Sequence, residues 1–102
     1  MEIERLWFTQ KILKRSHQIC DLVKKIEAEE PFVGPPILLQ EAEDGEIEII
    51  NGHHRVVASW KAGLKNLRPE DYQLFIDIKP VGRIWQVKDF EKWRHLVGDS
   101  HA

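Results

Sequence analysis

Apolar residues recur along this chain at two spacings, and the change from one to the other marks out its elements. Ile19, Leu22, Val23 and Ile26 fall three and four apart, which predicts an amphipathic helix from an N-cap at Ser16 to about Glu29. Glu30-Pro31-Phe32-Val33-Gly34-Pro35-Pro36 cannot prolong it, because proline removes a backbone donor and fixes φ. Ile37-Leu38-Leu39-Gln40 and Glu46-Ile47-Glu48-Ile49-Ile50 then read as two strands around a Glu43-Asp44-Gly45 turn, which predicts a hairpin. Alternation places Ile47 and Ile49 on one face of the second strand and Glu46 and Glu48 on the other, as in a half-buried sheet.

Asn51-Gly52 breaks that strand, and a helix is expected from about residue 53 to 62, closed by Gly63 with Leu64 as its apolar follower. Tyr72, Leu74, Ile76 and Ile78 alternate in the next strand, which Pro80 and Gly82 end. Residues 3–8 form a short opening strand in this reading, Thr9-Gln10-Lys11 a connector, and residues 84–87 an edge strand. A closing helix over residues 89–98 would bury Phe90, Trp93 and Leu96 or Val97. The pattern predicts an α/β (α+β) chain with a mixed sheet, a β-hairpin and three or four helices, without repeats.

A length of 102 residues accommodates one domain, and 42% apolar residues with four Trp and four Phe supply one modest core. At this size burial is limited, so ligand binding or pairing into a homodimer is expected to add stability. One cysteine excludes an internal disulfide and suits a reducing compartment. Met1-Glu2-Ile3-Glu4 does not open a signal peptide, and no apolar stretch has membrane-spanning length, so a cytoplasmic protein without membrane association is expected. The net charge of −2 argues against non-specific nucleic-acid binding. That charge is unevenly spread: eight acids and no Lys or Arg lie between Glu27 and Glu48, leaving +6 on the remainder. This is either a solvated acidic face or the complement of an anion site elsewhere.

Asn51-Gly52-His53-His54-Arg55 is where the unusual choices coincide. A strand enters a glycine turn and a helix begins at once. The first N–H groups of a helix lack intrahelical acceptors, and its dipole adds roughly half a positive charge there. Gly52 would let an anion approach the backbone; His53, His54 and Arg55 would add donors, Arg55 with a fork suited to phosphate. Cationic side chains there oppose the dipole at about 0.3–1 kcal/mol each. That local conflict points to a bound anion; the competing reading has one His capping or packing and Arg55 paired with an acid of the hairpin. Adjacent His53 and His54 point to different helix faces, and His17 with Cys20 makes too few ligands, so no metal site is expected.

The stretch from Pro35-Pro36-Ile37 through the hairpin to Gly52-His53-His54-Arg55-Val56-Val57-Ala58-Ser59-Trp60-Lys61-Ala62-Gly63-Leu64 resembles the ParB/sulfiredoxin superfamily. The likeness reaches back through the first long helix to Thr9-Gln10, about two thirds of the chain, with residues 35–64 as its motif core. It implies one ParB/sulfiredoxin-like domain over residues 1–102, with a nucleotide (ATP, ADP or CTP), with or without Mg, over the helix start. Asn51, Gly52, His53, His54, Arg55, Gln10 and Lys11 become the ligand-binding set, and His54 the catalytic candidate.

Members of that superfamily differ in what they do. Sulfiredoxin carries Gly-Cys-His-Arg with the cysteine as nucleophile; here that position is His53, which argues against sulfinic-acid reduction. The free-serine kinases carry Asp-Gly-His-His-Arg and a catalytic carboxylate near the N-terminus. Here Asn51 replaces the Asp, and an amide cannot act as general base, so a carboxylate such as Glu27, Glu29 or Glu30 would have to reach the site. Partition proteins add a helix-turn-helix domain, for which the residues after Leu64 leave no space, so sequence-specific DNA recognition is not expected of this chain alone. Three readings stand: a phosphate-binding module, a phosphotransferase or nucleoside-triphosphate hydrolase, and, with least to support it, a ParB-like nuclease. Of the remaining residues, Pro35-Pro36 either shape a pocket wall or only stop one element and aim the next. Lys24-Lys25 suit a helix C-terminus, and Trp60 reads as core.

Overall fold

Two α-helices pack beside a three-stranded mixed sheet in a computed structural model that describes residues 1–10, 18–31, 34–76, 82–89 and 92. The helices are α1 (Ile19–Glu27) and α2 (His53–Lys61); the strands are β1 (Ile37–Glu41), β2 (Ile47–Asn51) and β3 (Tyr72–Ile76). Strand order is β2-β1-β3, with β1 antiparallel to β2 and parallel to β3. Short 3₁₀ turns, Ile3–Arg5 and Pro69–Asp71, add no third α-helix among the described residues. The expected closing helix lies largely outside the described residues, as do Ser16, Lys11, Phe90 and Trp93. The α+β class and the hairpin hold; the helix count is lower than expected within the described residues.

Both helices end in the same backbone closure, although only α2 has a glycine for it. At the end of α2, Gly63 takes φ +88, its N–H donates to the Trp60 carbonyl at 3.0 Å and the Leu64 N–H to the Ser59 carbonyl at 3.1 Å. That is the paired closure of a Schellman cap. At the end of α1 the same pair of bonds forms around Glu29, which adopts φ 57 although it carries a Cβ. The opening segment differs from the expected strand. Residues 3–5 turn, and only residues 6–8 extend beside β2, where the Trp7 N–H donates to the Ile47 carbonyl and the Ile49 N–H to the Trp7 carbonyl. Residues 84–87 line the far side of that segment, with Phe8 N–H to Trp85 carbonyl at 2.7 Å and Ile84 N–H to Phe8 carbonyl at 2.9 Å.

β2 has backbone neighbours along both edges, and Ile47, Glu48 and Ile49 are all buried. Ile47 and Ile49 join Ile37, Leu39, Val56, Val57, Leu6 and Phe8 in the core, and α1 adds Ile19. Glu48, expected on a solvated face, is fully buried. The reason is a partner that sequence spacing does not reveal. Arg83 donates through Nε to Glu48 Oε2 at 2.6 Å, and Gln40 donates to Oε1 at 2.6 Å. The same guanidinium grips Asp44 with two further bonds of 2.6 and 2.7 Å, which hold the Asp44 carboxyl down at a pKa of about 2. The opposite edge is barer: along β3, Leu74, Phe75 and Ile76 are exposed.

Candidate functional site

Because β1 runs antiparallel to β2 and parallel to β3, one end of the sheet collects the start of β1, the end of β2 and the start of β3. At that end Gly52 turns the chain from β2 into α2. It adopts φ 97, and a Cβ there would stand 3.1 Å from Ile37 Cγ1 and 3.2 Å from Ile37 Cα. Glycine is therefore required by handedness and by the close approach of β1, independently of any ligand. Asn51, exposed at the last position of β2, pairs with Leu38 across a β-bulge. No side chain caps the start of α2, and its first turn carries no acid.

The three consecutive side chains after Gly52 separate. His53 turns inward and is only 2% exposed. Its Nε2 accepts the Thr9 N–H at 3.1 Å, its ring stacks on Phe8 at 5.8 Å, and the Thr9 hydroxyl donates to the Ile49 carbonyl at 2.6 Å. Burial, and next the neighbouring His54 charge, push the His53 pKa down to about 4, so the ring is neutral with its proton on Nδ1. His53 thus serves the fold, tying residue 9 to α2, and adds no charge to an anion site. Gln10, exposed and next to Thr9, is carried to the helix start by the same bond. His54 is half-buried in the first turn.

The buried neutral His53 has a measurable consequence. An unfolded His binds its proton near pH 6.5 and the folded one near 4, so between those values the unfolded chain holds the extra proton. Stability should rise with pH across that window, by up to about 3 kcal/mol from this residue. Urea unfolding at pH 4.5, 5.5 and 7 should give a shallower dependence for His53→Gln than for the wild type. Equal slopes for the two proteins would remove His53 from the account.

Arg55 reaches the surface and stands between two clefts. Its NH1 donates to the Pro35 carbonyl at 3.1 Å, and NH2 lies 3.8 Å from Asp71 Oδ1. Burial lowers the Arg55 pKa, the nearby Asp71 charge raises it and Arg68 lowers it; an arginine remains cationic throughout. The larger cleft, about 1190 Å³, runs between α1 and α2. Leu22, Ile26 and Leu67 supply apolar lining, while Lys25, Arg68 and Asp71 bring charge. Glu27, Glu29 and Glu30, the acids expected to approach from elsewhere, also line it. The smaller cleft, about 290 Å³, is bounded by Gly34, Pro36, Tyr72 and Gln73 as well as Arg55 and Asp71.

Asp71 and Arg68 escaped the sequence reading. The run Arg68-Pro69-Glu70-Asp71 carries a usable signal: proline opens a helical turn, and Arg and Asp stand three apart. Arg68 Nε donates to Asp71 Oδ2 at 2.9 Å, a bond that raises the Arg68 pKa. Among the described residues no group of three or more His, Cys, Asp or Glu is placed to hold a metal ion, and no helix is long and apolar enough to cross a membrane. No family model, no curated protein and no solved structure matches this chain.

Proposed function

We propose that this chain is a ParB/sulfiredoxin-like domain that binds a nucleotide or another phosphate-bearing ligand where β2 hands over to α2. The observation that carries the reading is Arg55: one guanidinium, fixed by the Pro35 carbonyl in the first turn of a helix with no side-chain cap, lines both clefts. A planar fork at a helix start suits phosphate oxygens, and the larger cleft has room for a nucleoside beyond them. Of the expected ligand-binding residues that are described, only Arg55 lines the two clefts; Asn51, Gly52 and His54 adjoin it in sequence at the helix start, Gln10 follows Thr9, and His53 is buried. A Mg²⁺ ion would arrive with the ligand's phosphates. The cytoplasm, where nucleotides abound and a lone thiol stays reduced, suits this reading.

Thermal melting in the presence of ATP, ADP and CTP, each with and without Mg²⁺, tests it. A ligand at a hundred times its Kd adds about 2.7 kcal/mol, which raises the midpoint of a domain this size by roughly 10 °C or more. Arg55→Ala should abolish the shift while the protein still melts cooperatively. No shift with any of the three at millimolar concentration, or an undiminished shift in Arg55→Ala, sinks the proposal.

One observation supports a second reading, a phosphotransferase: the Asp71 carboxylate lies 3.8 Å from Arg55, and a carboxylate beside a phosphate-binding arginine would serve as the general base for a substrate hydroxyl. Release of ADP from ATP in the presence of free serine, lost in His54→Ala and Asp71→Asn, would support it. Stabilisation without turnover would support the binding module.

A further inference from the structure

The Arg55 site contains its own anion. Asp71 is the last residue of the Pro69–Asp71 turn, whose N–H closes on the Arg68 carbonyl at 2.9 Å, and the next residue, Tyr72, enters β3 in register with Ile37. The carboxylate is therefore held at the sheet end where α2 starts, and it lines both clefts together with Arg55. Its two oxygens are engaged unequally. Oδ2 takes a 2.9 Å hydrogen bond from Arg68 Nε, whereas Oδ1 stands 3.8 Å from Arg55 NH2, an ion pair longer than a hydrogen bond. Arg68 also lies 3.6 Å from Glu70. The side chains of Arg55 and Asp71 are mostly buried, while that of Arg68 is half exposed.

We propose that Asp71 is the exchangeable counter-ion of Arg55 and sets the anion selectivity of the site: an incoming phosphate takes over Arg55 NH2, and Asp71 stays paired with Arg68. This rests on the reading of the α2 start as an anion site. The Arg55–Asp71 contact surrendered is the long one, and the carboxylate keeps its short bond to Arg68, so Asp71 is not left as a buried charge alone. The Pro35 carbonyl holds the guanidinium in place meanwhile, so the donor does not have to be repositioned. Asp71 also exerts a cost on binding. A fixed negative charge beside the bound phosphate repels it, and the repulsion grows with ligand charge, so Asp71 trims the advantage that the two arginines give to polyphosphates over weakly charged phosphates.

Binding of orthophosphate, pyrophosphate and tripolyphosphate to the full chain, measured by calorimetry in low salt, tests this directly. Asp71→Asn keeps the hydrogen-bonding shape and removes the charge; it should tighten tripolyphosphate binding roughly tenfold and orthophosphate binding less. Arg68→Gln, at an exposed position, should act in the opposite direction. With Arg68 gone Asp71 falls back on Arg55 and binding weakens several-fold, an effect that should vanish when Asp71→Asn is also present. Wild-type binding that Asp71→Asn leaves unchanged or weakens overturns the inference alone. If none of the three anions binds wild type, Asp71→Asn or Arg68→Gln, the anion site itself is refuted and the inference falls with it.

Discussion

Glu48→Ala should lower stability by about 3 kcal/mol and the thermal midpoint by roughly 15 °C. The side chain is fully buried, and its two oxygens are bound by Gln40 and Arg83, each at 2.6 Å. Removing it takes the Oε1 acceptor from the Gln40 amide and, from the largely covered Arg83 guanidinium, one of its two carboxylate partners. Broken buried pairs cost more than the pair itself contributed, because the remaining partner is left without water or counter-charge. Arg83 retains Asp44, which moderates the loss. If the cost arises in this way, the double replacement Glu48→Leu with Arg83→Leu should recover much of it. A Glu48→Ala midpoint within a few degrees of wild type would show that the cluster contributes little.

Gly52→Ala should cost about 3 kcal/mol, with a built-in comparison that isolates its cause. Two terms add: an alanine at φ 97 pays roughly 1–2 kcal/mol for left-handed backbone, and its Cβ would press on the backbone and side chain of Ile37, a contact of the overpacking kind worth about 1–3 kcal/mol. Gly63 has nearly the same backbone, φ +88, but open space around its missing Cβ, so Gly63→Ala should lose only the first term, about 1 kcal/mol. Denaturant unfolding of the two variants measures the difference. Equal losses would mean that the close approach of β1 and the start of α2 contributes nothing.

These expectations separate what is local from what is not. The hairpin, the α2 helix and its Gly63 closure were legible because each follows from short-range rules: alternation, turn residues and a left-handed cap within a few positions. The candidate site was legible only as a segment. That His53 would turn inward while Arg55 lined a cleft depends on residue 9 lying beside the end of β2, and no spacing within residues 51–55 encodes that placement. Glu48 was misread for a related reason. Alternation assigns a residue to a face but does not say what covers that face, and Arg83 arrives from 35 positions away.

The amino-acid order by itself determined the α+β character, the strand-to-helix junction at Gly52 and the His-His-Arg run after it, because helix and turn are set by neighbours in sequence. Tertiary structure decided that His53 is a neutral strut, that Asp71 and Arg68 join Arg55, and that Glu48 is buried against Arg83. Those outcomes depend on desolvation and on partners brought together only when the sheet closes, and neither quantity exists until the chain is folded.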